Sequence, residues 1–350
     1  MAAPLAAEPL RIATFNTELA RKGPGLFLRD LEAGDAADIA AVLHRIVAAE
    51  ADVLLLQGID YDMEGRALGL LARRLSDRGR DYPYRFALRP NAGMPTGIDL
   101  DGDGRTGGPR DAQGFGYFSG QGGMAILSRL PILHREARDF SAMLWRDLPG
   151  ALMPGAGLSP EAAAVQRLSS NGHWDVPLRR PDGGVLHLLA MHATPPVFDG
   201  PEDRNGRRNH DEIAFWRLYL DGALPGAEPP GEAFVLAGDF NLDPVDGAGR
   251  KAAIRSLLGH GALQDPAPAS PRGADAARRQ GGANAAQRGD PGQDTADWSD
   301  GPGGPGNLRV DYVLPAAGLS VVGAGIMWPE TPGSGREGSR HGLVWVDIAF

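Results

Sequence analysis

The stretch AFVLAGDFNLDP runs apolar and then ends in Gly238, Asp239, Phe240, Asn241 and Asp243. Asp239 and Asn241 are two apart, so on an extended chain both side chains point to one side. A carboxylate beside an amide at a strand end suits a metal-bound water and a phosphate oxygen. An Asx-rich turn that merely closes the strand is the plainer alternative. HLLAMHATPP likewise ends in His192, just before a stiff Pro-Pro turn. RVDYVL sets Asp311 inside an apolar strand, where an unpaired carboxylate is costly. SRHGLVWVDI puts His341 at the mouth of the last strand. Asp311 holding His341 makes an acid or base of fixed tautomer. The chain has no cysteine and no G-x-S-x-G turn, so the nucleophile in such a site is water.

Two further stretches bear on cations. In VLLLQGIDYDMEG an apolar strand turns acidic, with Asp60, Asp62 and Glu64 at alternate positions. This is either a solvated strand end or the floor of a cation site. In DLDGDGRTGGPRD, Asp99, Asp101, Asp103 and Gly104 match the first half of a calcium loop, although the closing position holds Arg110. A structural Ca²⁺ site outside the EF-hand pattern is the expectation, with a simple Asp/Gly turn as the alternative. The segment after His192 clusters Arg204, Arg207, Arg208, Asn205, Asn209 and His210, and RLSSNGHWDV adds Arg167, Asn171 and His173. Of these, Arg204, Asn209, Arg167 and His173 are the expected phosphate or substrate contacts at the rim. A solvated helix start with mutually neutralising charges is the rival.

These residues need strands that end together. LRIATFN, ADVLLLQ, GMAILSR, GVLHLLAMHA, AFVLAGDFN, RVDYVLP and HGLVWVDIAF read as strands. ADIAAVLHRIVAAE, GRALGLLARRLSDRG and RNHDEIAFWRLYLDGA have helical spacing between them. Helices between strands put α/β architecture first, and alternating strands favour sheets with two unlike faces. Residues 9–350 are expected to form a single domain, with a flexible tail over residues 1–8 and a mobile low-complexity insertion over residues 265–307. The 350 residues carry a formal net charge of -9 and no run of eighteen apolar residues. Sequence-blind clamping of nucleic acid is disfavoured, a membrane span is excluded, and no feature identifies a protein partner. The start lacks the basic end and apolar core of an intact signal peptide. Localisation is open: secreted or periplasmic if a leader has been trimmed, cytoplasmic otherwise.

Asn16 in TFN, LLLQ, GGMAILSR, His192, GDFN, DYVL and SRH occur in the order found in the endonuclease/exonuclease/phosphatase superfamily, which this chain resembles from about residue 10 to residue 350. The resemblance implies a four-layer α/β/β/α sandwich, an α/β (α+β) fold of two mixed sheets flanked by helices. It implies Mg²⁺- or Mn²⁺-assisted hydrolysis of a phosphoester, with nucleic acid or a smaller phosphodiester as substrate. Carried over, Asn16 sits at the metal and phosphate. Asp239 orients or deprotonates water and stands at the metal, and Asn241 holds a phosphate oxygen. His192 contacts the phosphate, and His341, paired with Asp311, stabilises charge on it. Two positions depart from the family: Gly58 stands where a metal-binding glutamate is usual, and Arg340 where an aspartate is common. Asp60 is the expected replacement ligand, with Asp62 the second choice, and Arg340 the expected phosphate clamp. A phosphodiesterase or nuclease is the expected activity; the alternatives are a catalytically silent metal- or ligand-binding module of the same fold, or a lipid or small-molecule phosphodiesterase or phosphatase.

Overall fold

The structure is a computed structural model that describes residues 9–329 and 338–350. The expected tail over residues 1–8 lies outside the described residues. The strands in chain order are β1 (Leu10–Asn16), β2 (Val53–Ile59), β3 (Tyr84–Phe86), β4 (Gly123–Ser128), β5 (Arg138–Asp139), β6 (His173–Arg179) and β7 (Val185–His192). They continue with β8 (Phe234–Asp239), β9 (Ala296–Asp297), β10 (Asn307–Leu308), β11 (Asp311–Pro315), β12 (Ser320–Met327) and β13 (Leu343–Ala349). The helices are α1 (Leu26–Ala33), α2 (Ala37–Ala49), α3 (Arg66–Ser76), α4 (Pro160–Val165), α5 (Arg204–Leu220), α6 (Ala252–Leu258) and α7 (Pro271–Gln280).

Two mixed sheets result, one of six strands in the order β12-β13-β1-β2-β4-β3 and one of five in the order β11-β8-β7-β6-β5. Side-chain alternation explains how they stack. On β1 and β2, Ile12, Val53 and Leu55 face inward and meet Ala190, Val235, Ala237 and Val313 of the other sheet. Ala13, Phe15, Leu54 and Leu56 face outward against Ile39, Leu43 and Ile46 of α2 and Leu71 and Leu75 of α3. The outer face of the second sheet, through Leu189, Met191 and Leu236, packs on Ile213, Phe215 and Trp216 of α5 and on Ile254 and Leu257 of α6. The four layers expected from the resemblance are therefore present, each interface burying whole aliphatic side chains at roughly 1.5–3 kcal/mol apiece.

The insertion departs from expectation. Residues 265–307 show no element signals in the sequence, yet they contain α7, a 3₁₀ turn at Gly282–Ala286 and the short antiparallel pair β9–β10. Ala276 and Ala277 of α7 are buried, and Ser270 caps α7 by accepting from the Gly273 N–H. Low complexity hid an alanine face wide enough to pack.

Candidate active site

The inward stripe of each sheet turns polar at one end of the sandwich. On β1 the inward positions run Ile12, Thr14, Asn16, and on β2 Val53, Leu55, Gln57, whose Nε2 donates to Thr14 Oγ1 at 2.8 Å. Opposite them, β7 ends its inward face in His192, β8 in Asp239, and β11 begins in Asp311. Register brings the three level: His192 pairs with Asp239 in the parallel ladder, and Asp239 with Asp311 in the antiparallel one. Asn16 closes the gap between the sheets, its Nδ2 donating to Asp239 Oδ2 at 2.8 Å. Because β13 runs antiparallel to β1, its preceding residue His341 arrives at the same end. His341 Nδ1 lies 2.9 Å from Asp311 Oδ2. Thus Asn16, His192, Asp239, Asp311 and His341, scattered over the sequence, form one layer. Asn241 sits beside it at φ +51, its backbone N–H donating to Asp239 Oδ1 at 2.8 Å and its side chain to the Ala193 carbonyl.

The electrostatics follow from burial and neighbours. Burial and the adjacent Asp311 push the Asp239 carboxyl up to about 7. Burial opposes charge on His341, but Asp311 beside it prevails and lifts it to about 9, so it is an imidazolium at neutral pH. Burial, with the charge of His341 added, lowers His192 to about 4 and keeps it neutral. His192 Nε2 is 3.5 Å from Asp239 Oδ2, and its Nδ1 is 3.4 Å from Asn171 Nδ2. Asn171 also donates to the Gly122 carbonyl and so joins the site to the loop before β4.

Other expected site residues are engaged elsewhere. Asp60 accepts from the Arg21 and Gly122 N–H groups at 2.9 Å each. Asp62 accepts from Arg66 and Ala67 at the start of α3. Neither belongs to the cluster of Asp239, Asp311 and His341, whose ligand atoms lie within 4.8 Å of one another. A register shift at Gly58 separates Gln57 from Ile59, so the alternation of β2 does not run on unbroken to Asp60, the expected replacement ligand. His173 is fully buried on Phe215 and Trp216, its Nε2 at 2.9 Å from the Glu212 carbonyl, and burial lowers it to about 4. It is a core histidine rather than a rim contact. Asn209 is buried and donates to the carbonyls of Thr194 and Phe240, tying together the loops that follow β7 and β8. Arg204 donates to the carbonyls of Ala156 and Leu100, and Arg167 to Asn91 Oδ1. Asp99, Asp101 and Asp103 do converge within 4.8 Å, on an exposed loop. Asp99 there accepts from the Gly102, Asp103 and Gly104 N–H groups, which hold its carboxyl below the usual range.

Several residues of the site were not anticipated. Glu212 of α5 is buried and accepts from the Ser170 and Thr194 N–H groups, bracing the segments around Asn171 and His192. Thr295, from the insertion, donates to Asp311 Oδ2 at 2.8 Å, and Trp298 stands edge-on to His341. Glu18 accepts from the Arg340 backbone N–H at 2.8 Å and from Arg340 Nε at 2.9 Å. The spacing Asn16-x-Glu18 at a strand end was a readable signal for Glu18; nothing in the sequence pointed to the other three.

The two sides of the layer differ as hosts for a divalent cation. Between β8 and β11, Asp239 and Asp311 stand in register, both fully buried, and Asp311 Oδ1 has no hydrogen-bond partner among the described residues. Two crowded carboxylates with a spare oxygen fit a hard cation. At the β1–β2 corner, Gly58 offers no side chain and Glu18 is already paired with a guanidinium, a poor fit.

The chain belongs to the endonuclease/exonuclease/phosphatase family, whose model matches residues 13–341. The family acts on phosphoesters and is generally dependent on divalent metal. No curated protein matches the chain. Among solved structures, a family member from Beutenbergia cavernae is 18% identical, with a TM-score of 0.57 over 98% of this chain and 72% of that one. One from Bacteroides thetaiotaomicron is 12% identical, with a TM-score of 0.52 over 98% of each chain. The human Nocturnin catalytic domain, solved with a bound sulfate anion, is 13% identical, with a TM-score of 0.51 over 99% of this chain and 96% of that one. At these identities the likeness is one of fold.

Proposed function

We propose that this chain is a divalent-metal-dependent phosphodiesterase or nuclease. The in-register carboxylates of Asp239 and Asp311, flanked by one neutral and one cationic histidine, carry that reading. Asp239 and Asp311 would hold Mg²⁺ or Mn²⁺, which supplies Lewis-acid polarisation of a phosphoryl oxygen. Asp239, fixed by Asn16 and the Asn241 amide, orients the attacking water and takes its proton. The His341 imidazolium, aimed by Asp311, offsets negative charge that builds on the phosphate. His192, held at Asn171, donates a neutral hydrogen bond to the phosphate, and Asn241 steadies another oxygen. Arg340 at the rim serves as a further phosphate contact. The net charge of -9 favours a compact phosphodiester or a short nucleic acid over tight clamping of a long duplex.

A catalytically silent member of the fold is the second reading, favoured by Gly58 and by the engagement of Glu18 with Arg340. Hydrolysis of bis-p-nitrophenyl phosphate with Mg²⁺, Mn²⁺ or Ca²⁺ separates the two. The enzyme reading expects turnover that Asp239→Asn and His341→Ala each cut at least a hundredfold. No turnover with any metal, or turnover unaffected by both variants, leaves the silent module. A panel of single- and double-stranded DNA, RNA, phospholipid head groups and sugar phosphates then assigns the substrate.

A further inference from the structure

The roles above name Arg340 as a phosphate contact but leave its pairing with Glu18, at the β1–β2 corner of the site, without a function. Gly58 has φ +70, and a Cβ built there would stand 2.8 Å from Asn16 Oδ1 and 2.9 Å from the Glu18 backbone nitrogen. The corner is thus filled by the chain around Glu18, and no side chain fits at position 58. Glu18, itself at φ +51, turns its carboxylate to Arg340. Oε2 accepts from the Arg340 backbone N–H at 2.8 Å, and Oε1 accepts from Nε at 2.9 Å and from Nη2. Ser339 Oγ lies 3.4 Å from the same Oε2 and donates to the Asn16 carbonyl at 2.5 Å. Both oxygens of Glu18 are therefore occupied. Burial works to raise its carboxyl, but Arg340 and the charge of His341 hold it below the usual range, so the pair stays fully ionised.

Arg340 is fixed at several points. The Asp297 N–H donates to its carbonyl at 3.0 Å, and the Ser339 hydroxyl also accepts from the His341 N–H at 3.0 Å. Its guanidinium spends the Nε–Nη2 edge on Glu18, while Nη1 has no partner among the described residues and the side chain is 45% exposed. A planar fork with one edge anchored and the other open is suited to a phosphate oxygen, and anchoring removes rotamer freedom in advance.

We propose that Arg340, anchored by Glu18, is the resident cation of the β1–β2 corner and takes a phosphoryl oxygen of the substrate through its open Nη1 edge, so that this half of the site binds phosphate without a metal. The inference rests on the phosphoester reading and deepens it: Glu18 becomes a positioning residue for a guanidinium, and metal, where used, is confined to the Asp239–Asp311 side.

Calorimetric titration of inorganic phosphate in EDTA, with Mn²⁺ binding followed separately by EPR, tests this on the full chain. Wild type is expected to bind phosphate in EDTA. Arg340→Ala weakens it at least tenfold, Arg340→Lys recovers part of the loss, and Glu18→Gln weakens it several-fold with the melting temperature preserved. Mn²⁺ affinity is expected to be unchanged in Glu18→Gln and to rise in Arg340→Asp, which sets a second carboxylate beside Glu18. Phosphate affinity indifferent to Arg340→Ala, no phosphate binding by wild type in EDTA, or a tenfold loss of Mn²⁺ affinity in Glu18→Gln each overturns the inference. Turnover of the diester with phosphate binding independent of Arg340 would defeat this inference alone. Absent turnover with Arg340-dependent phosphate binding would defeat only the hydrolase reading.

Discussion

His192 and His341 meet at one end of the sandwich and are driven in opposite directions by what touches them. His341, beside Asp311, rises from 6.5 to about 9, whereas burial, with the charge of His341 added, drives His192 from 6.5 to about 4. Since the folded state raises the pKa of His341, its contribution to stability is fully present below about 6.5 and is lost as pH rises through about 9. The melting-temperature gap between wild type and His341→Asn is therefore expected to shrink above pH 9. NMR titration of the imidazoles is expected to show His341 still protonated at neutral pH and His192 neutral. Asp311→Asn removes the charge that supports His341, and each unit by which its pKa falls is about 1.4 kcal/mol of lost interaction. An unshifted His341 in Asp311→Asn refutes that account.

At the scale of elements, the end of β2 is decided by a bulge. With φ +70 and no room for a Cβ, Gly58→Ala is expected to cost about 2 kcal/mol or more, read as a lower denaturation midpoint with unchanged slope. A neutral Gly58→Ala would mean that the corner rearranges freely. The insertion makes a parallel case. Thr295 donates to Asp311 Oδ2 and accepts from the Val310 and Asp311 N–H groups. Thr295→Val keeps the shape and removes these bonds; a loss of about 1–3 kcal/mol with a lowered His341 pKa is expected. On the exposed loop, the converging Asp99, Asp101 and Asp103 make Ca²⁺ an expected stabiliser, checked by melting curves with Ca²⁺ and with EGTA in the Asp101→Asn background and in wild type.

For the whole molecule, the site is a strain shared by two sheets. Burial beside Asp311 lifts the Asp239 carboxyl from 3.8 to about 7, so its ionisation weighs against the folded state increasingly from about pH 3.8 and fully above about 7. A divalent cation bound there offsets this cost. Mn²⁺ is thus expected to raise the melting temperature more at pH 8 than at pH 5, and Asp239→Asn to raise melting without metal while erasing the Mn²⁺ response. Scanning calorimetry across that pH range decides it; a Mn²⁺ shift that survives Asp239→Asn places the cation elsewhere. Glu212 and Asn209 connect this site to α5, so the helix acts as the brace for the strand ends rather than as a substrate rim.

The sequence by itself determined the strands, the helices between them and the polar ends of the inward faces, because alternation with period two is local and states which side a residue faces. It therefore singled out His192, Asp239, Asn241, Asp311 and His341 as candidates, while Asn16 entered only through the resemblance to the family. Asp60, Asp62, His173, Arg204 and Asn209 read equally well in one dimension. Only the tertiary structure decided against a shared place for them with Asp239, because a one-residue bulge at Gly58 turns the chain, and because buried backbone groups must find partners wherever the loops close. The same packing recruited Thr295 and Trp298 from a low-complexity segment and set Glu18 on Arg340 across 322 residues of chain, a contact that no local pattern encodes.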